Sequence, residues 1–295
     1  MANDTDEAAE PQPGELVKRH RLSTRIWHWT NAVAIIVLLM SGLSIFNAHP
    51  RLYWGSYGAN FDDAWLEIYE EDDRGYLEIG NWRWDTTGVL GRWTEPDGDI
   101  STRAFPHWST IPGYYSLATG RLWHFFFAWI FVLGGLAYWF WSFGNRHVQR
   151  DLAPKREELS LRHIWHDIKE HARLRFPTGA AALNYNILQK LSYLIVLFVL
   201  LPLIVLTGLT MSPTMNAAWP WLLDIFGGRQ SARSIHFIVA FLITSFIALH
   251  LVMVVLAGPL NEIRSMITGR FHLPKHRKEK PEPASEPAVS AEESA

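Results

Sequence analysis

No cysteine occurs among the 295 residues. Its absence excludes disulfides, thiolate-held iron–sulfur clusters and thioether-linked haem, and leaves any metal chemistry to His, Met or carboxylate ligands. Net charge is scarce as well: 27 Lys and Arg against 29 Asp and Glu give −2, no footing for nucleic acid as a partner. No internal repeat stands out. Apolar and aromatic residues are abundant, with 48% hydrophobic side chains and 15 Trp, the composition of a membrane protein with polar segments attached.

The run over 233–259 is apolar for long enough to cross a hydrocarbon core of roughly 30 Å, and its only strongly polar interior side chains are His236 and His250. Three further runs qualify, over 26–46, 122–143 and 191–211, and the fourth span itself covers 235–257. The basic group Lys18, Arg19, Arg21 and Arg25 precedes the first span and places its start in the cytoplasm. Eight Lys and Arg against five acids over 145–185, and six more basic residues between 264 and 280, put those segments on the same side. Residues 48–120 carry five Arg against twelve acids and fall on the far side.

The expected class is therefore all-α: an integral-membrane four-helix bundle with a large extracytoplasmic loop between helices 1 and 2. Its divisions are a cytoplasmic tail over 1–25, the helical domain over 26–258 with the 48–120 insertion, and a cytoplasmic tail over 259–295. Residues 1–17 lack the apolar core and cleavage site of a signal peptide and read as a disordered, uncleaved tail. The Pro-, Glu-, Ser- and Ala-rich end from 280 onward reads the same way. The localisation expected is the bacterial inner membrane with both termini cytoplasmic.

Fourteen residues of helix turn through nearly four circles, so His236 and His250 share a face about 21 Å apart along the axis. His28 lies at the depth of His250, and His124 at the depth of His236. Two histidine pairs at two depths match the need of two bis-imidazole haems, each iron taking one neutral imidazole from either side. Ionisable side chains are costly inside a membrane and mark function by default. The other nine histidines sit in polar segments; His163, His166 and His171 could form a surface metal site, but a solvated amphipathic helix explains them, and none is assigned chemistry. The tryptophans of the insertion, from Trp54 to Trp108, make either a cap on the bundle or, among acids such as Glu70, Glu71, Asp72 and Asp73, a docking surface for a redox partner.

These residues resemble the membrane cytochrome b subunits of respiratory formate dehydrogenases, nickel–iron hydrogenases and thiosulfate reductase-like molybdopterin oxidoreductases. The resemblance covers all four helices. It rests on Arg25 with His28-Trp29-Thr30-Asn31 and Ser41-Gly42, on Gly120-Arg121 and His124, on Tyr185-Asn186 and Gln189-Lys190, and on His236 with His250. It implies two b haems that pass electrons between an extracytoplasmic redox subunit and a membrane quinone, ubiquinone or menaquinone, with the quinone beside the cytoplasmic haem. Asn186 and Gln189 match the quinone-side segment, with Leu188 where formate dehydrogenase subunits carry Gly. The tryptophan-rich insertion resembles the molybdopterin branch.

Haem propionates are anionic, and Arg121 and Arg233 on the outer side, with Arg25 and Lys190 on the inner, are candidates to neutralise them; each also fits a helix-flanking role. Asn186 and Gln189, three apart on a helix, could donate to quinone oxygens, or simply cap the helix. The chain is expected to be the electron-conducting subunit rather than the substrate-converting one, with no catalytic residue of its own, embedded in lipid, and self-association is left open. Two other readings stay open: a stand-alone membrane cytochrome that oxidises a small outer substrate such as superoxide, and a histidine bundle that moves protons or metal.

Overall fold

The computed structural model describes residues 12, 14–146, 148, 152–173 and 186–273. Most of the tail segments expected at either end, 1–11 and 274–295, and Tyr185 of the helix-three motif lie outside the described residues.

Among the described residues four helices are long and apolar enough to cross a membrane: α1 (Leu22–Phe46), α2 (Leu117–Gly144), a third over Ile187–Met211, and α8 (Arg229–Ala257). Each ends within one residue of its expected limit and begins four to six residues earlier. The extra turns carry Arg25, Arg121, Lys190 and Arg233, because backbone hydrogen bonding continues past the depth at which lipid demands apolar side chains. Leu133, Phe140, Leu249 and Val255 remain exposed, as lipid-facing side chains are. The third span is not uniform: α4 (Ile187–Ile195) widens into a π turn (Val196–Leu200) before α5 (Leu201–Met211). Pro202, at the start of α5, has no N–H to give to the preceding turn, and the wider turn absorbs that loss.

The connecting helices are α3 (Leu161–Ala172), α6 (Pro213–Ala218), α7 (Trp221–Ile225) and α9 (Pro259–Thr268). Along the bundle α1 packs on α2 and α5 on α8. Trp27 of α1 stacks on Tyr138 of α2, ring centres 5.3 Å apart, in space left open by Gly134.

The all-α expectation needs correction at two places. The segment over 48–120, read as a loop, holds an antiparallel sheet of β2 (Arg51–Leu52), β3 (Leu66–Glu71), β4 (Arg74–Ile79) and β5 (Trp82–Asp85), in that order. A second ribbon pairs β6 (Trp93–Thr94) with β7 (Ile100–Ser101). Asp72 and Asp73, both at positive φ, form the two-residue turn between β3 and β4, the geometry that matches strand twist in a hairpin. Leu66 and Ile68 alternate inward with exposed or half-buried neighbours and join Phe46, Leu52 and Ala104 in a small core. Near the chain ends, β1 (Leu16–Lys18) pairs with β8 (Arg270–His272), so residues 16–18, expected inside a tail, are held by a partner strand remote in sequence.

The insertion is fastened to the start of α8. Gly55 O accepts from the Gln230 and Ser231 amides, Trp65 Nε1 donates to Ser234 Oγ at 2.9 Å, and Ser234 Oγ donates to Tyr53 O at 2.6 Å. Gly228, at φ 110°, allows this approach, since a Cβ there would stand 2.6 Å from Gly55 O.

Candidate cofactor site

The bundle has two ends, an upper one under the insertion and a lower one that carries the β1–β8 ribbon. A histidine pair faces across it at each level. At the upper level His124 of α2 and His236 of α8 have ring centres 6.3 Å apart and planes at 59°. At the lower level His28 of α1 and His250 of α8 stand 6.4 Å apart at 60°. A metal held between two imidazoles at about 2.0–2.1 Å per bond, with about 1.1 Å from each nitrogen to its ring centre, requires roughly 6.3 Å. Both pairs have the spacing that fits such an ion. Among the described residues no three His, Asp or Glu converge as a metal cluster, so the chemistry of the site is that of paired imidazoles.

The upper rings are held by hydroxyls on the neighbouring helices. His124 Nδ1 lies 3.1 Å from Ser41 Oγ and 3.1 Å from Leu38 O, both on α1. His236 Nδ1 lies 3.0 Å from Thr207 Oγ1 on α5. Ser41 and Thr207 are fully buried. The sequence marks Ser41 only within the family motif and does not mark Thr207. Their sequence signal is a hydroxyl followed by a glycine within a spanning run, Ser41-Gly42 and Thr207-Gly208.

The lower rings are held by aromatic contact instead. His250 stacks on Phe246 with ring centres 6.2 Å apart, Trp29 meets His28 edge-on at 5.2 Å, and the buried His28 Nδ1 has no hydrogen-bond partner among the described residues. A clasp closes this end: Arg19 pairs with Glu262 at 3.2 Å, Trp29 Nε1 donates to Met266 O at 3.1 Å, and Arg25 donates to Met266 O and Ile267 O. Arg25 therefore caps the C-terminal carbonyls of α9, a favourable place for a cation. Beside it His20 is held neutral by burial and by the nearby cations Arg19 and Arg25, its pKa lowered to about 4. Lys190 pairs with Glu158 at 2.8 Å, and the lysine's hydrogen bond holds that carboxyl below its ordinary range.

Asn186 and Gln189 form a capping box at the start of α4. Asn186 Oδ1 accepts from the Gln189 amide at 2.9 Å, and Gln189 Oε1 from the Asn186 amide at 3.3 Å. The carbonyl oxygen of each side chain is thus spent on the helix start. Arg233 donates to His49 O and lies over the Phe46 ring, while Arg121 is exposed with its guanidinium 5.6 Å from the Phe125 ring centre. His147 and His276 lie outside the described residues, as does the side chain of His171.

The sequence profile described as prokaryotic cytochrome b561 matches residues 19–269, which takes in all four spans and both histidine pairs. The chain belongs to that family. It is accordingly a bacterial membrane b-type cytochrome, a haem b protein of electron transfer. Among curated relatives, a protein of Azospira oryzae named as a protein-methionine-sulfoxide reductase subunit, YedZ1, is 24% identical over 242 residues, 82% of this chain and 92% of its own length. A protein of Cupriavidus necator named as a Ni/Fe-hydrogenase B-type cytochrome subunit is 22% identical over 284 residues, 91% of this chain and 93% of its own. In this b561 family member the matched segment begins at Arg19 and ends at Gly269, two residues whose backbones are hydrogen-bonded to each other in the lower clasp.

Proposed function

We propose that the chain carries electrons across the membrane through two haem b groups, His28 with His250 ligating the lower and His124 with His236 the upper. The observation that carries this reading is the equal spacing of the two pairs, 6.4 Å and 6.3 Å, at opposite ends of one bundle. Iron supplies the one-electron chemistry, and the helices supply ligation, burial and position. Arg121 and Arg233 serve the propionates of the upper group. Arg25 and Lys190 stand at the lower level with protein acceptors already engaged, and any propionate contact there uses their remaining donors.

The charge pattern of the connecting segments puts the lower end and both termini in the cytoplasm and the insertion outside. The insertion then roofs the upper pair: Phe237, next to His236, packs into its core. A redox subunit seated on residues 48–120 reaches the upper haem through this roof. Both relatives are named as subunits, which supports a partner that converts the substrate, and a molybdopterin enzyme suits the insertion's resemblance. At the lower end, membrane ubiquinone or menaquinone exchanges electrons near Asn186 and Gln189. The capping box uses their oxygens, whereas a quinone calls on amide N–H groups, so the two roles use different atoms.

The test is haem content and quinone reactivity of the purified full chain. Two haem b per chain by pyridine haemochrome, reoxidised by a quinone analogue after dithionite reduction, is the expected result. A folded chain with one haem or none overturns the two-haem scheme.

A further inference from the structure

Residues 41–44, Ser-Gly-Leu-Ser, and 207–210, Thr-Gly-Leu-Thr, follow one pattern: hydroxyl, glycine, leucine, hydroxyl. Their partner helices repeat as well, with Gly120-Arg121 three residues before His124 and Ala232-Arg233 three before His236. The repeat is short, and the fold gives it meaning. It falls once in each packed helix pair, α1 with α2 and α5 with α8, at the upper histidine level.

A hydroxyl has one proton to give. Ser41 donates it to Val37 O at 2.6 Å, and Thr207 to Leu203 O at 2.7 Å, each four residues back along its own helix. With the proton committed there, only a lone pair of each oxygen is left for the imidazole. His124 Nδ1 and His236 Nδ1 must therefore carry the hydrogen, which His124 shares between Ser41 Oγ and Leu38 O, each at 3.1 Å; Nε2 of each ring is left unprotonated, the form that ligates a metal. The glycine after each hydroxyl receives the ring edge: a Cβ on Gly42 would lie 3.5 Å from His124 Cε1, and one on Gly208 3.4 Å from His236 Cε1. At the lower level this arrangement is missing among the described residues, where His28 Nδ1 has no partner and His250 rests on Phe246.

We propose that Ser41 and Thr207 are positioning residues for the upper haem ligands. Thr207 holds His236, and Ser41 together with Leu38 O holds His124, in the Nδ1–H tautomer; accepting that hydrogen bond makes the ring a stronger donor, which favours ferric over ferrous iron and lowers the upper haem's potential without touching the lower one. The proposal rests on the two-haem reading above.

The decisive comparison is Thr207→Val against Thr207→Ser, with Ser41→Ala as a second site. Valine keeps the volume and loses the hydroxyl; serine keeps the hydroxyl and loses the methyl. Redox titration and low-temperature EPR of the full chain, with haem counted by pyridine haemochrome, give the readouts. Thr207→Val and Ser41→Ala should shift the reduction equilibrium of one haem toward the ferrous form by roughly threefold, about 28 mV at 59 mV per decade, and change its EPR anisotropy. The other haem should stay as in wild type, and Thr207→Ser should behave as wild type. Loss of one haem from Thr207→Val that Thr207→Ser does not share supports the proposal equally. Wild-type potentials and EPR in the Ser41→Ala, Thr207→Val double variant with both haems retained overturn it, as do equal defects in Thr207→Val and Thr207→Ser. In either case a wild-type count of two haems leaves the functional reading standing; a lower count removes that reading and this proposal with it.

Discussion

His124 and His236 face each other with ring centres 6.3 Å apart, and the His28–His250 pair repeats that distance within 0.1 Å at the other end of the bundle. Under the proposed ligation, removing either ring of a pair would leave that haem held by a single imidazole. His28→Ala or His250→Ala should drop haem content from two to one per chain with the upper haem's spectrum intact. His124→Ala or His236→Ala should do the converse. Unchanged stoichiometry in all four refutes the pairing.

The α1–α2 contact depends on a missing side chain. A Cβ on Gly134 would fall 2.7 Å from Trp27 Cζ3, with the indole held from the other side by Tyr138. Gly134→Ala should therefore cost about 1–3 kcal/mol through overpacking. Thermal unfolding of the haem-loaded protein should show the loss, and Trp27→Phe in the same chain should relieve part of it.

Ser234 links the insertion to α8 through one accepted and one donated bond, and it is fully buried. Ser234→Ala leaves the Trp65 indole N–H and the Tyr53 carbonyl without that partner, at a cost of about 1–3 kcal/mol. Hydrogen exchange should quicken in the 50–68 segment while the spanning helices keep their protection. Uniform change along the chain would show that the insertion is not a separately opening unit.

His20 ties the lower clasp to pH. Its pKa falls from the ordinary 6.5 to about 4 on folding, so the unfolded state binds more protons in between. The stability it contributes is fully present above pH 6.5 and is lost as pH falls toward 4. Exchange protection of the β1–β8 ribbon, measured from pH 7 to 4, should decline across that window in wild type and decline less in His20→Gln. Equal pH dependence in the two proteins would remove His20 from the account.

Gln189→Glu separates helix capping from quinone contact. Glutamate keeps an oxygen for the Asn186 amide, so the capping box survives and stability should change by no more than about 0.5 kcal/mol. The amide N–H donors are lost. Reoxidation of the reduced cytochrome by a quinone analogue should slow with both haem spectra unchanged. A wild-type rate places the quinone elsewhere.

Hydropathy in the sequence fixes four spans to within a few residues, because lipid tolerates few charged side chains and every spanning backbone must bond to itself. Helical periodicity adds the depths of the four histidines, so both pairs were legible before any fold was known. The β insertion was not legible: its strands have two to six residues and alternate weakly, too short for a period of two to stand out, and the Asp72-Asp73 turn lacks the glycine that usually marks a two-residue hairpin. Arg25, Lys190 and Arg233 could be read as cations at helix ends, yet their acceptors at Met266, Glu158 and His49 are contacts between segments far apart in the chain or on different elements. Asn186 and Gln189 carried both capping and quinone readings in sequence, and the fold shows the cap. Ser41 and Thr207 reveal their histidines only when α1 lies on α2 and α5 on α8. Periodicity tells which residues share a face and a depth; which hydroxyl meets which ring depends on the rotation of one helix against another, and that is decided by packing across the whole bundle.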